Sequence, residues 1–138
     1  MAANLHQRYP ALQTLEDAPF SALLGLKVED AAEGSAVARL PFDLRLLNYG
    51  PPDVPIHGGA IATLADFAAC AAVWTMPETQ RSATISLTVN YTGPGVQSDL
   101  VAHAVVRRKG KRIASVCVDI RNSRGELIAD SLVTYKIA

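Results

Sequence analysis

Residues 57–76 read HGGAIATLADFAACAAVWTM, and the rest of the chain is organised around them. As a helix rising about 1.5 Å per residue, this stretch is long enough to cross a small domain. Two glycines open it, Ala, Ile, Leu, Phe, Val and Trp fill it, and its single charge is Asp66. On a wheel of about 100° per residue, apolar side chains fall on every side. Leu64, Ala68 and Ala71 point one way, and Ala62, Ala69 and Val73 the other. A helix apolar all round is expected to be buried all round, which leaves Asp66 as a carboxylate that packing alone does not require.

Working outward, residues 48–55 read NYGPPDVP. Three prolines within 51–55 fix φ and remove donors, so this is a stiff loop delivering the chain to His57. Further upstream, PFSALLG at 19–25 reads as a helical turn closed by Gly25. An extended segment follows, then a turn over 31–34 and a strand over 35–40 that Pro41 stops. Residues 1–18 are polar and mixed, with Leu5, Tyr9, Leu12 and Leu15 loosely spaced, and fit a short leading helix.

Downstream the period changes to two. Ser82, Thr84, Ser86, Thr88 and Asn90 alternate with Ala83, Ile85, Leu87, Val89 and Tyr91, predicting a half-buried strand with a polar face. Gly93-Pro94-Gly95 ends it. Strands over 100–108, 113–121 and 126–137 follow, joined by Lys109-Gly110-Lys111 and Asn122-Ser123-Arg124-Gly125. The simplest topology for four strands so spaced is an antiparallel meander. The class predicted is α+β: a twisted antiparallel sheet wrapped round one long helix, in a single domain over 1–138 whose first 18 residues form an N-terminal extension.

Composition narrows the function. The chain has 138 residues, 49% of them hydrophobic, with a mean hydropathy of +0.16, which fits a folded domain with some apolar surface covered by another subunit. Thirteen Lys and Arg balance thirteen Asp and Glu, so no global charge draws nucleic acid or an anionic membrane. Cys70 and Cys117 form no CxxC and no Cys/His ligand spacing, and read as small buried residues of a reducing compartment. The first residues lack the basic-then-apolar order of a signal peptide. The long helix is alanine-rich with a mid-span Asp, which argues against a membrane span. A cytoplasmic location is expected. HExxH, GxxxxGK[ST] and GxGxxG are all absent from the sequence, so neither a metal nor a nucleotide cofactor is expected.

NYGPPDVPIHGGAIATLADFAACAA resembles the N…G…HGGxxxxLxD segment of hotdog-fold acyl-CoA thioesterases, particularly the PaaI-type group of phenylacetate pathways. PFSALLG, LTVNYTGP and RRKGKRIASVCVDIRN are similar to other parts of that family's pattern, and the resemblance spans roughly 19–138. It implies a hotdog fold, a central helix in a five- to six-stranded antiparallel sheet. The protein would work as a homodimer or homotetramer with active sites at the subunit interface. The implied reaction is hydrolysis of an acyl-CoA or aryl-acyl-CoA thioester, with the coenzyme A thioester as substrate and no bound cofactor.

Each candidate residue has a plainer reading beside the functional one. Asp66 is either paired with an Arg or capped by backbone, or it is a tuned catalytic group; the resemblance implies a general base or a nucleophile. Gly58 and Gly59 permit a tight turn, but they also leave N–H groups at the positive end of a helix. The resemblance gives the Gly58 N–H the role of polarising the thioester carbonyl, a donor of a kind worth about 3 kcal/mol of activation energy. His57 lacks the GxSxG partner of a triad and reads as a residue that shapes the site. Asn48 matches the family asparagine that contacts the thioester or the attacking water, although the proline-rich loop after it is longer than the family's and brings Asp53 into competition. Thr84 is an ordinary strand threonine, or the Ser/Thr that holds the water.

Arg107, Arg108, Lys109, Lys111 and Arg112 crowd one hairpin. They form either a solvated turn or a patch for the phosphates of coenzyme A. Nucleic acid is disfavoured because no stacking aromatics accompany them. Two rival functions remain at this point: a module that binds an acyl thioester without hydrolysing it, and a dehydratase on the same scaffold, whose catalytic His and acidic partner would be arranged differently.

Overall fold

The protein, described here from a computed structural model, is placed over residues 2–138, with side chains from Asn4 onward. Three short helices come first: α1 (Ala2–Arg8), α2 (Ala11–Asp17) and α3 (Pro19–Leu24). Strands β1 (Lys27–Ala32) and β2 (Ser35–Leu40) follow, and after a loop comes the long helix α4 (Gly58–Trp74). Strands β3 (Ser82–Tyr91), β4 (Leu100–Lys109), β5 (Ile113–Arg121) and β6 (Leu127–Ile137) complete the chain.

The six strands form one sheet in the order β1-β2-β4-β5-β6-β3, every neighbour antiparallel. The expected meander of four is therefore corrected to three, β4-β5-β6, with β3 on the far side of β6. The reason lies in residues 92–99. Thr92 and Gly93 donate their N–H groups to the Ile128 carbonyl, and the Gly95 carbonyl accepts from Ile56 N–H at 2.8 Å. The segment is thus drawn across the foot of α4 instead of turning back on β3, and it delivers β4 to the open edge of β2. The strand that adjoins β3 in sequence is three places away in the sheet.

The inward side chains of the curled sheet pack on α4. Leu64, Ala65, Ala68, Ala69, Ala71, Ala72 and Val73 are completely buried against alanines, leucines and valines of β2, β4, β5 and β6. Alanine at so many helix positions lets strand and helix backbones approach closely. The expectation of burial on every side nevertheless fails along one stripe. Gly59 is exposed, and Ala62, Thr63, Asp66, Cys70 and Trp74 are only partly buried. They recur at three- and four-residue intervals, one face of a helix. The sheet stops short of closing over that face, because β1 and β3 are its two free edges.

The N-terminal residues form part of this domain's core. Leu5 and Leu12 belong to it. Glu16 is buried, and its Oε2 accepts from Val28 N–H at 2.7 Å while Oε1 lies 3.0 Å from His6 Nε2. One carboxylate therefore ties α2 to β1 and to α1. Gly25, at φ 71°, closes α3 as the sequence implied. Among the described residues, no helix is long and apolar enough to cross a membrane.

Candidate active site

The open stripe of α4 leads to the site. His57 is the N-cap of the helix: its Nδ1 accepts from Gly59 N–H at 2.8 Å. Gly58 is the first helical residue, so its N–H has no acceptor within the helix. Its carbonyl accepts from the Tyr91 hydroxyl at 2.7 Å. A Cβ on Gly58 would stand 3.2 Å from Tyr91 Cζ and hydroxyl oxygen, so glycine is what leaves room for the Tyr91 ring at the helix start.

Two turns along, Asp66 faces β3 and β6. Thr84 Oγ1 donates to Asp66 Oδ1 at 2.9 Å. The Tyr135 hydroxyl, from β6, also reaches Oδ1 in a short contact and lies 2.7 Å from the Asp66 main-chain carbonyl. Oδ1 is thus held by two hydroxyls, and no described residue donates to Oδ2. Among the described residues no ion pair involves Asp66, so the plainer reading of an Arg partner is set aside.

An irregularity that period-two reading cannot see separates Thr84 from the hydroxyls that follow it. The β3–β6 register shifts between Thr84 and Ser86, leaving Ile85 as the extra residue of a β-bulge. Thr84 pairs with Tyr135 and Ser82 with Ile137, both inward positions, and beyond the bulge Leu87 and Val89 pair with inward Val133 and Ser131. Ser86, Thr88 and Asn90 face outward. The predicted polar face therefore breaks at Ile85. Ser82 and Thr84 belong to the helix side, and Ser86 does not share their direction. A bulge on an edge strand re-aims side chains in this way.

Beside Asp66 lies a cavity of about 230 Å³, roofed by α2 and α3. Leu15, Phe20 and Phe67 supply apolar wall, and Thr84, Tyr135 and Cys70 line it near the carboxylate. At its inner end Ser82 Oγ accepts from Trp74 Nε1 at 2.9 Å and lies 3.8 Å from Cys70 Sγ. Burial pushes the Cys70 thiol up to about 11. It is a neutral thiol at ordinary pH, poorly suited to nucleophilic attack. Burial, with Cys70 and Asp66 nearby, also holds the Tyr135 phenol well above its usual range, so Tyr135 acts as a donor.

Other candidates lie apart. Asn48 is exposed; its N–H donates to the Pro55 carbonyl at 3.1 Å. Leu47 bridges Ile56, so residues 48–55 form a closed loop, and Asn48 is not among the residues that line the cavity beside Asp66. The five cations sit on the β4–β5 hairpin. Lys109, Ala114, Tyr135 and Thr84 stand in one register row across β4, β5, β6 and β3, three strand spacings or about 14 Å. Arg107 turns to the outer face, with Nη1 3.9 Å from Cys117 Sγ. None of the five pairs with a carboxylate among the described residues. Sequence reasoning had not singled out Tyr135. In the alternation Val133, Tyr135, Ile137 it reads only as an inward strand residue.

A long helix in a curled antiparallel sheet matches known proteins. The chain belongs to the thioesterase superfamily, whose family model matches residues 56–129. It is 38% identical over 115 residues to a putative esterase of Halobacterium salinarum, covering 81% of this chain and 72% of that one. It is 30% identical over 134 residues to the medium/long-chain acyl-CoA thioesterase YigI of Salmonella typhimurium, covering 86% and 85%. Among solved structures, zebrafish thioesterase superfamily member 2 superposes with a TM-score of 0.82 at 26% identity, over 96% of each chain. The E. coli PaaI protein superposes at 0.83 with 23% identity, over 97% of this chain and 96% of that one. The fold is the hotdog thioesterase fold, as the resemblance implied.

Proposed function

We propose that this protein hydrolyses the thioester of an acyl-CoA or aryl-acyl-CoA, releasing a free acid and coenzyme A. The observation that carries the reading is Asp66: a carboxylate without an ion-pair partner, fixed through one oxygen by Thr84 and Tyr135 and bordering a cavity of mixed polarity. With Oδ1 held, Oδ2 takes the proton of an attacking water, or attacks the carbonyl carbon itself. The Gly58 N–H at the positive helix end receives the charge that builds on the thioester oxygen; since Gly58 and Asp66 of one helix are eight residues, about 12 Å, apart, the pair that serves one thioester comes from two subunits. Thr84 orients the carboxylate. Asn48, on the loop that leads into the helix start, orients the water.

The cations of the 107–112 hairpin hold the phosphates of coenzyme A. No cofactor enters the reaction. The name of the Salmonella relative supports an acyl-CoA substrate. The working form is a homodimer or homotetramer with the site at the subunit interface, which fits β3: a ten-residue free edge with Ile85 and Tyr91 more than half exposed. Such an edge normally acquires a cover.

Purified protein is incubated with a panel of acyl-CoAs and a thiol reagent. Thiol release that vanishes in Asp66→Ala and Asp66→Asn is expected. Tight binding of acyl-CoAs with no release at any chain length overturns hydrolysis in favour of a non-hydrolytic binding module.

A further inference from the structure

Tyr135 carries a consequence that the hydrolytic role of Asp66 does not by itself require. Its hydroxyl has one proton and faces two acceptors of the same residue, the Asp66 main-chain carbonyl at 2.7 Å and the carboxylate Oδ1 in shorter contact. The carbonyl accepts and never donates, whereas the carboxyl group changes its character with its own proton. A hydrogen bond to an ionised carboxylate is about twice as strong as one to a neutral group. When Asp66 is charged, the Tyr135 proton is therefore drawn to Oδ1. When Oδ2 carries a proton, Oδ1 is only the carbonyl oxygen of an acid, and the amide carbonyl becomes the better acceptor.

We propose that Tyr135 is a positioning residue that registers the proton state of Asp66. Its hydroxyl donates to Oδ1 while Asp66 is ionised and swings to the Asp66 carbonyl once Asp66 is protonated. The inference rests on Asp66 being the group that exchanges protons in the reaction. Tyr135 itself neither gains nor loses a proton. In the general-base route, water gives its proton to Oδ2 as its oxygen bonds to the thioester carbon. The C–S bond then breaks, and the proton leaves Oδ2 for the departing thiolate. Through this cycle the Tyr135 hydroxyl only rotates, so the carboxylate keeps its orientation in both states.

Thr84 does not duplicate this role. Thr84 is an exposed residue of an edge strand whose hydroxyl donates to Oδ1, with the Tyr135 hydroxyl also beside it, whereas the Tyr135 side chain is buried and bonds both parts of Asp66. Few other charges bear on the pair. Of the side chains lining the cavity, only Asp66, Cys70 and Tyr135 titrate, and Cys70 stays neutral well beyond physiological pH. The α2–α3 roof and β3 present no ionisable group to the cavity. Across β6 and β5, the cation in register is Lys109.

The test is an infrared pH titration of the full chain without substrate, which needs no turnover. The Asp66 carboxyl band is assigned by its loss in Asp66→Asn. In Tyr135→Phe the carboxyl midpoint is expected to rise by about one to two pH units, the effect of removing one donor to a charged acceptor. Thr84→Val should move it less. The acid limb of the kcat–pH profile should move by the same amount, with KM little changed. In the unaltered protein with isotope-labelled tyrosine, one tyrosine C–O band should change at the Asp66 midpoint and lose that change in Asp66→Asn. This arm holds even where Tyr135→Phe fails to fold. An unmoved carboxyl midpoint in folded Tyr135→Phe, or a tyrosine band indifferent to Asp66 titration, overturns the proposal. If no acyl-CoA is hydrolysed, the substrate-free titration still decides the role of Tyr135 separately from the hydrolytic reading.

Discussion

The bulge at Ile85 separates two neighbouring hydroxyls that the alternation of β3 would treat alike. Thr84 faces α4 and donates to Asp66 Oδ1 at 2.9 Å. Ser86 pairs with Thr134 on the outer face. A hydrogen bond to a charged group is worth about 1.5–3 kcal/mol, and water partly replaces an exposed donor, which places Thr84 at the low end. Thr84→Val keeps shape and β-propensity while removing that bond. About 1.5 kcal/mol corresponds to roughly a tenfold fall in kcat. Ser86→Ala removes a hydroxyl that touches nothing in the site, and its effect should stay under about twofold, the range of ordinary surface changes. Deleting Ile85 removes the extra residue and leaves Thr84 still opposite Tyr135. That variant should keep most of its activity, and Thr84→Val on its background should again cost about tenfold. Steady-state thiol release with the best acyl-CoA, read as kcat and KM separately, makes the comparison. Equal losses in Thr84→Val and Ser86→Ala, or a silent Thr84→Val, would refute the assignment of the two hydroxyls to opposite faces of β3.

Three further outcomes follow from the fold. His57→Ala removes the acceptor of Gly59 N–H and should lower stability by about 1 kcal/mol, the usual worth of a cap; chemical denaturation measures it. Glu16→Leu leaves the buried Val28 N–H without its acceptor at 2.7 Å and should cost about 1–3 kcal/mol, with proteolysis appearing first in the α1–α2 segment. At high pH, Cys70 has a folded value of about 11 against an ordinary 9.0, so the folded state keeps a proton that the unfolded chain loses. Its contribution to stability is full below about pH 9 and fades toward pH 11, a loss of roughly 2–3 kcal/mol. The fall in thermal midpoint over this window should be shallower in Cys70→Ala.

Much of this was legible in the chain because burial leaves a pattern. The helix in 57–76 shows itself by its alanines and by glycine, β5 falls at 113–121 as read, and Asp66 stands out as a charge among apolar residues. What escaped depends on distance or on a single inserted residue. The partner of β3 is β6, more than forty residues away, and spacing cannot reveal it. The bulge leaves Thr84 and Ser86 two apart in sequence, which is the alternation of an unbroken strand. Tyr135 passes for core because a strand tyrosine shows its ring in the pattern but not its hydroxyl, and the acceptor lies 69 positions upstream. Asn48 was legible as a motif residue. The closed shape of the loop that carries it is set by the Leu47–Ile56 bridge and the prolines between them.

These particulars have one cause. A six-stranded sheet curled round a single helix leaves a gap between its first and last strands in space, here β1 and β3. Whatever helix stripe faces the gap cannot be packed by the sheet, so it is where small and polar side chains are tolerated: Gly59, Ala62, Thr63, Asp66 and Cys70. The same gap makes β3 an edge, free to carry a bulge because no strand on its outer side holds it in register. The bulge leaves Thr84 on the inner face and Leu87 and Val89 with it, and β6 beside it offers Tyr135, so both donors to Asp66 come from the border where wrapping ends. α2 and α3 roof the gap, with Glu16 holding α2 to β1. A carboxylate in the closed part of the helix, at Ala68 or Ala72, would meet only apolar neighbours and carry an uncompensated desolvation cost. At position 66 it meets two hydroxyls and an opening. The chemistry sits at the incomplete edge of the fold because only there can a charged group be both held and reached.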